Sequence, residues 1–134
     1  MTLADRQRKL IAKLSIIEDA HECLAAITSR AKKWPVPADS ERTDERLVRG
    51  CSSRVWLVGE VREGRCHFRI DADSPLVKGI ATLMCEVYDG GTPEEIAAVE
   101  PEIFTALDID RMLSPTRLNG LAAIHLAIRE FAQT

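Results

Sequence analysis

Two strand-like segments joined by a tight turn lie between helical segments, and this arrangement most constrains the fold. Residues 54–61 are rich in β-branched and apolar side chains, and residues 66–70 alternate apolar and polar side chains. Arg62-Glu63-Gly64 forms the turn between them. Because an isolated hairpin is rarely stable in water, helices must cover one of its faces, and a third short strand can join it. The pattern predicts an α+β fold in which a small antiparallel sheet of two to three strands packs against several helices.

The segment before the hairpin is predicted to be helical. Apolar residues recur there at helical spacing, with Lys, Arg and Glu between them. Ser15 is expected to cap a second helix that begins near Ile16. This helix must end before Pro35, and residues 35–50 are polar and irregular.

The segment after the hairpin has several helix start signals. Ser74-Pro75 opens an apolar helix that runs to Tyr88, which we expect to be the buried central helix. A capping box at Thr92 starts one short helix, and Pro101 starts another. The last helix begins at Ser114-Pro115, with a predicted apolar stripe of Leu118, Leu121, Ile124, Ile128 and Phe131.

Length and charge limit the functional classes. The 134 residues suffice for one domain, which we expect to span 1–134. A net charge of -3 without a basic tract gives no reason to expect nucleic-acid binding. No segment approaches the roughly 20 apolar residues of a membrane span, and the charged N-terminus does not resemble a secretion signal. We therefore expect a cytoplasmic protein with reduced cysteines and no membrane partner.

Four cysteines are present, and only one lies outside a predicted regular element. Cys23, Cys66 and Cys85 fall on apolar faces, where a free cysteine behaves as a small hydrophobic residue. Cys51 follows Gly50 in a Gly/Ser-rich turn. None of the four has the spacing of a metal site, so no metal is expected. Motifs for nucleotides, dinucleotides and zinc proteases are also missing, so no cofactor is expected.

The local sequence leaves two interpretations of Cys51 open. A reactive thiol requires access and positive surroundings, and Arg49 and Arg54 flank it. An inert loop cysteine beside two solvated arginines fits equally well. Hydrolytic catalysis is disfavoured, because no histidine lies near Cys51 in sequence to act as its base.

Three blocks of sequence resemble the SufE family of sulfur-acceptor proteins. Residues 48–56, V-R-G-C-S-S-R-V-W, are similar to that family's G-C-x-S-x-V-W signature. Residues 71–79, D-A-D-S-P-L-V-K-G, resemble D-S-D-A-x-x-V-K-G, and residues 113–121, L-S-P-T-R-L-N-G-L, resemble L-S/T-x-x-R-x-x-G-L. The similarity extends from about residue 8 to 131, and three blocks in the same order are more specific than any one of them.

The resemblance implies a SufE/NifU-like α+β fold and a role in sulfur transfer. Cys51 would accept persulfide sulfur from a pyridoxal-phosphate-dependent cysteine desulfurase and pass it to an Fe–S cluster assembly scaffold. The chain would act as an accessory of the desulfurase rather than as a stand-alone enzyme, with no cofactor of its own. Because a thiolate is already the nucleophile, a histidine base is not required.

The resemblance also implies supporting residues around Cys51. Gly50 is expected to act as a hinge for the loop, and Ser53 belongs to the same signature. Arg117 is expected near the loop, where it would stabilise the thiolate or persulfide anion or hold the loop. Lys78, with the glycine that follows it, is expected to support packing under the loop, and Asp73 belongs to the same block.

Two alternatives from other classes remain. The first is a scaffold on which an Fe–S cluster is built, with Cys51, Cys66 and Cys85 as candidate ligands, although their spacing matches no known cluster motif. The second is a non-catalytic regulator of a desulfurase, for which Cys51 would be dispensable.

Overall fold

The computed structural model describes residues 1–134 and contains six α-helices and one two-stranded sheet. The helices are α1 (Leu3–Leu14), α2 (Ala20–Ala31), α3 (Pro75–Tyr88), α4 (Pro93–Ala98), α5 (Ile103–Ala106) and α6 (Pro115–Gln133). The strands are β1 (Val55–Arg62) and β2 (Arg65–Ala72), which lie between α2 and α3 in the chain. The predicted α+β class is therefore confirmed.

The sheet is the predicted antiparallel hairpin. Its register runs from Val55 opposite Ala72 to Arg62 opposite Arg65, which leaves a two-residue turn. Both turn residues have positive φ, 54° for Glu63 and 77° for Gly64, as hairpin turns of type I′ require. The sheet has two strands and no third, because the neighbouring segments contribute only isolated bridges, one at residue 47 and one at residue 91.

Helix α3 is the buried centre of the molecule, as its composition predicts. Ser74 caps it by accepting a hydrogen bond from the Val77 backbone N–H, and Pro75 occupies its first turn. The helix packs on α2 and β2, and its buried residues join a core cluster to which both strands and all the helices contribute. The hydrophobic face of the hairpin is thereby removed from water, which the isolated hairpin could not achieve.

The predicted start of the second helix is wrong. Ser15 is the C-cap of α1, and its backbone N–H donates to the carbonyl oxygen of Ile11. The cap of α2 is Asp19, whose carboxylate accepts from the Glu22 backbone N–H at 3.0 Å. Aspartate is as good an N-cap as serine, and its position three residues before Glu22 determines the start of the helix.

The last helix begins as predicted, with Ser114 as its N-cap. Leu121, Ile124 and Ile128 of the predicted stripe are buried, whereas Leu118 is 37% exposed and lies outside the core. Near the other end of the helix, the Phe131 ring covers Gly59 of β1, where an added Cβ would lie 2.7 Å from the ring. None of the helices, α6 included, has the length and apolar character needed to cross a membrane.

Candidate functional site

The segment that carries Cys51 lies between an irregular region and β1. The Val48 backbone N–H donates to the carbonyl oxygen of Val55 at 2.8 Å, so the chain on either side of the cysteine is held together at the start of β1. Gly50 has φ +91°, a conformation that residues with a Cβ rarely adopt. A Cβ added at Gly50 would lie 3.3 Å from the Cβ of Ala123. The loop is therefore folded closely against α6, and it needs a glycine to be there.

The Cys51 side chain points to the first turns of α6. Its thiol donates to the carbonyl oxygen of Gly120, with 3.4 Å between Sγ and O. A carbonyl oxygen can only accept a hydrogen bond, so this contact favours the protonated thiol. Gly120 is also required sterically, because a Cβ added there would lie 3.3 Å from Sγ.

A small cavity of about 10 Å³ adjoins the thiol. This volume is at the lower limit for a single water molecule, so the thiol nearly fills its own site. Four apolar side chains from two helices line it: Val77 and Ile80 of α3, and Leu121 and Ile124 of α6. In this position of the loop, the thiol is half-buried among apolar groups.

Burial raises the pKa of the Cys51 thiol above its ordinary value. The flanking arginines do not reverse this effect, because removal from water dominates. The other three cysteines also have raised pKa values, and all of them are buried in the core: Cys23, Cys66 and Cys85. Cys51 is thus the one thiol that solvent can reach, although it rests in a protonated state.

Ser53 and Arg117 line the same cavity as Cys51, so the structure brings these two residues to the thiol. Arg117 lies in the first turn of α6, and its side chain is exposed. Asp73 is connected to the Cys51 loop through the backbone, because its N–H donates to the carbonyl oxygen of Arg54 at 3.1 Å. Its side chain is exposed and does not line the cavity.

Lys78, which was expected to support packing under the loop, does not line the Cys51 cavity. Its Nζ lies 3.2 Å from a carboxylate oxygen of Asp71, at the end of β2. The neighbouring Gly79 faces α2, where an added Cβ would lie 3.0 Å from Oγ1 of Thr28. The pair therefore joins α3 to β2 and α2, and α3 supports the loop through Val77 and Ile80 instead.

Gly120 and the apolar wall are the parts of the site that the sequence pattern did not predict. A glycine inside a helix costs about 1 kcal/mol relative to alanine, so its presence in α6 indicates a packing or functional requirement. That signal is present in the third sequence block. The wall residues carry no such signal, because they look like any other core positions of an amphipathic helix.

The three histidines contact residues outside the Cys51 cavity or are exposed. His67 is half-buried, and its Nδ1 lies 3.2 Å from a carboxylate oxygen of Asp89. His125 contacts the Tyr88 hydroxyl at 3.0 Å, and burial lowers its pKa. His21 is exposed on α2. None of them lines the Cys51 cavity, so the site has a thiol, a carbonyl acceptor and an arginine but no imidazole base.

Similar proteins agree on one family. The family model described as "SufE: Fe-S metabolism associated domain" matches residues 8–132. An uncharacterised SufE-like protein of Rhizobium etli is 32% identical over 130 residues, covering 93% of this chain and 88% of that protein. The sulfur acceptor protein CsdE of Escherichia coli K12 is 31% identical over 127 residues, covering 93% of this chain and 84% of its own.

A solved structure supports the same fold. The solution structure of a hypothetical protein from Thermus thermophilus matches with a TM-score of 0.77 at 20% identity, covering 96% of this chain and 93% of that one. At this identity the match bears on the fold alone. Taken with the sequence matches over nearly the whole chain, the comparisons show that this protein belongs to the SufE family.

Proposed function

We propose that this protein accepts persulfide sulfur on Cys51 from a pyridoxal-phosphate-dependent cysteine desulfurase and passes it to an Fe–S cluster assembly scaffold. The observation that carries the proposal is the position of Cys51, the only one of four cysteines that is not buried. A relative over most of the chain is named a sulfur acceptor protein, which supports the same assignment. The pyridoxal phosphate belongs to the desulfurase, and this chain supplies the thiol.

The transfer step balances without an added oxidant or reductant. The Cys51 thiolate attacks the outer sulfur of the persulfide on the donor cysteine, and a new S–S bond forms as the old one breaks. The donor cysteine leaves as a thiolate, and Cys51 carries the sulfur as a persulfide. Delivery to the scaffold repeats the exchange with a recipient thiolate as the nucleophile. The chain is therefore a carrier that works with an enzyme rather than a stand-alone enzyme.

Attack by Cys51 requires the loop to leave the position seen here. In that position the thiol donates to the Gly120 carbonyl, and burial raises its pKa, so the reactive thiolate is disfavoured. A thiolate facing the same carbonyl oxygen would be repelled. Displacement of the loop toward solvent removes both effects, and Gly50, with φ +91°, is the joint at which the loop can turn.

The small cavity implies that the persulfide form closes less tightly than the thiol form. The space beside Sγ is about 10 Å³, and a second sulfur atom needs more than that. The added sulfur must then displace the loop or extend toward solvent beside Arg117, an exposed residue that lines the cavity. We assign Arg117 the role of stabilising the anionic thiolate or persulfide there, since its guanidinium makes no ion pair within the chain.

We infer a cytoplasmic location for this transfer, where unpaired thiols remain reduced.

The alternative of an Fe–S scaffold receives no support from the arrangement of ligands. Cys66 and Cys85 are fully buried, and no group of three or more His, Cys, Asp or Glu side chains is arranged to hold a metal ion. If the protein is only a regulator, Cys51 is dispensable, and the Cys51→Ser variant tests this alternative.

The test incubates the purified chain with a cysteine desulfurase and cysteine, followed by intact-mass and peptide mass spectrometry. The expected product is heavier by about 32 Da, with the added sulfur confined to the Cys51 peptide. The Cys51→Ser variant should gain no mass and should not stimulate the desulfurase. The Cys23→Ser variant serves as the matched control, because that thiol is buried and should not affect uptake. A Cys51→Ser protein that stimulates as well as wild type identifies a regulator instead.

A further inference from the structure

The segment between α2 and the thiol-bearing loop is attached to both strands of the hairpin, and we call residues 34–48 the strap. At its start, Nε1 of Trp34 donates to the carbonyl oxygen of Phe68 in β2 at 3.1 Å. At its end, the Val48 backbone N–H donates to the carbonyl oxygen of Val55 in β1 at 2.8 Å. The strap therefore passes from one strand to the other before it leads into the loop that carries the thiol.

Arg42 is the strap residue whose side chain contacts both strands. Its Nη2 lies 2.7 Å from Oδ2 of Asp71 in β2, and its Cζ lies 5.4 Å from the ring centroid of Trp56 in β1. Asp71 and Trp56 are opposite each other in the register, so they lie on the same face of the hairpin. Asp39 also approaches the guanidinium, at 3.7 Å, but its side chain is fully exposed and contributes little. Arg42 thus attaches the strap to a cross-strand pair at the start of β1.

Asp71 connects this attachment to α3. Its other carboxylate oxygen lies 3.2 Å from Nζ of Lys78, and the Asp71 side chain is only 16% exposed. We call Arg42, Asp71 and Lys78 the Asp71 cluster. Lys78 lies on α3 between Val77 and Ile80, which line the cavity of the thiol. One carboxylate therefore joins the segment that leads into the loop to the helix that forms part of the wall around the thiol.

The closed site of Cys51 tolerates little movement of its walls. The thiol has one hydrogen bond, to the Gly120 carbonyl oxygen at 3.4 Å, and the cavity beside it measures about 10 Å³. Close-packed side chains lose most of their contact energy when they separate by a fraction of their diameter. Closure of the loop therefore depends on where the strap is held relative to α3, and the Asp71 cluster contacts both.

We propose that Asp71 is a positioning residue for the Cys51 loop. Through Arg42 and Lys78 it holds the base of the loop at a fixed place relative to α3, so that the thiol closes into its cavity. Loss of either ion pair favours the open loop and makes the thiol more accessible. The inference rests on the proposed function, in which Cys51 is the working thiol and the loop must open for transfer.

A neighbouring ion pair provides a matched control, because it has no contact with α3. Glu41 precedes Arg42 in the strap and accepts two hydrogen bonds from Arg69, which lies two residues before Asp71 on the same face of β2. Its other partners are the Ala38 backbone N–H and Arg46, both in the strap. Glu41→Gln therefore weakens the attachment of the strap to β2 and leaves the Asp71 cluster intact.

The test follows alkylation of Cys51 by iodoacetamide near pH 7 in the full chain, without any partner. Asp71→Asn keeps the shape of the side chain and removes its charge, so the rate should rise about threefold. Arg42→Gln should raise the rate by a similar factor, and the double variant should not exceed the larger single effect, because both substitutions break the same interaction. Glu41→Gln should leave the rate unchanged, although it lowers the stability of the fold.

The two single variants separate positioning from an electrostatic effect on the thiol. Asp71→Asn removes a negative charge and favours the thiolate, whereas Arg42→Gln removes a positive charge and disfavours it. A change in the field alone would therefore move the two rates in opposite directions, while displacement of the loop raises both. Lys78→Gln breaks only the pair with α3, and it should also raise the rate, which keeps the test available if Asp71→Asn does not fold.

A urea series separates positioning from general loss of stability. Opening of the loop exposes little surface, so the added reactivity of Cys51 should not depend on urea below the unfolding transition. Reaction through global unfolding would rise with urea and would modify buried Cys23 in parallel.

The outcomes also separate this proposal from the sulfur-carrier function. Equal rates in wild type and in the Asp71→Asn and Lys78→Gln variants overturn the positioning role, as do opposite effects of Asp71→Asn and Arg42→Gln. A rise in Glu41→Gln as large as that in Asp71→Asn assigns the effect to the strap in general and also overturns it. If the rates change as expected but a desulfurase leaves Cys51 of the wild type without added sulfur, the carrier function fails and the positioning role stands.

Discussion

Replacing Gly120 with alanine tests whether the closed loop restrains the reactivity of Cys51. The new methyl group would lie 3.3 Å from Sγ, closer than an unstrained carbon–sulfur contact. The thiol must then move away, and its 3.4 Å bond to the Gly120 carbonyl lengthens. Loss of one hydrogen bond together with this contact destabilises the closed position by about 1 kcal/mol. That energy corresponds to an increase of about fivefold in the population of the open loop.

The same substitution should not weaken the fold. Gly120 lies inside α6, where alanine is favoured over glycine by about 1 kcal/mol. Global stability in urea should therefore be unchanged or higher, while Cys51 becomes more reactive. Greater reactivity without a loss of stability distinguishes displacement of the loop from general loosening of the structure.

The assay follows alkylation of Cys51 by iodoacetamide near pH 7 with peptide mass spectrometry. The buried thiols provide an internal reference, because they should react only after unfolding. The wild-type rate should have a pH midpoint above the ordinary thiol value, since burial raises the pKa of Cys51, and Gly120→Ala should lower the midpoint. Asn119→Ala, at the exposed neighbouring position, is the matched control. If Gly120→Ala and wild type react at the same rate, the closed contact does not restrain the thiol.

Two further predictions concern the stability of the fold. Gly50→Ala should lower the free energy of unfolding in urea by about 1–2 kcal/mol, because φ is +91° and the new Cβ would contact Ala123. Gly64→Ala is the control and should lower it less, because φ is +77° and no atom lies within 4 Å of the added Cβ. Hydrogen bonds from Arg69 lower the pKa of Glu41 to about 2, so Glu41 stabilises the fold above its ordinary pKa of 4.5, and this contribution is lost as the pH falls toward 2. The stability difference between wild type and Glu41→Gln, measured by thermal unfolding, should shrink over that range, and a constant difference would contradict the assignment.

The sequence predicted those parts of the fold that local chemistry determines. The hairpin followed from alternation and turn residues, and the starts of α3 and α6 followed from a serine cap before proline. The start of α2 was misplaced because Ser15 and Asp19 are both good caps. The choice between them depends on how α1 ends against the core, which a local pattern does not contain.

The sequence indicated that Cys51 lies in a loop outside the core, but it did not indicate which residues surround the thiol. Cys51 and Arg117 came from sequence blocks far apart in the chain, and the fold brings both to one cavity. Neighbours in a helix face different directions, so a block of sequence does not show which of its members lines the cavity. In α3 that member is Val77, while Lys78 turns to Asp71.

The arginines beside Cys51 in sequence and the burial of its thiol have opposite effects on the thiol pKa, and the position of the loop determines which effect is larger. Arginines around a cysteine ordinarily favour its thiolate, yet burial raises the pKa of this thiol. In the closed position the apolar wall and the Gly120 carbonyl dominate, so the thiol stays protonated and resists adventitious oxidation. A displacement of the loop would remove the thiol from the wall and the carbonyl, and Arg49 and Arg54 would move with it as its sequence neighbours. We therefore expect a displacement of the loop to expose the thiol and lower its pKa together, so that the proposed transfer needs no dedicated base.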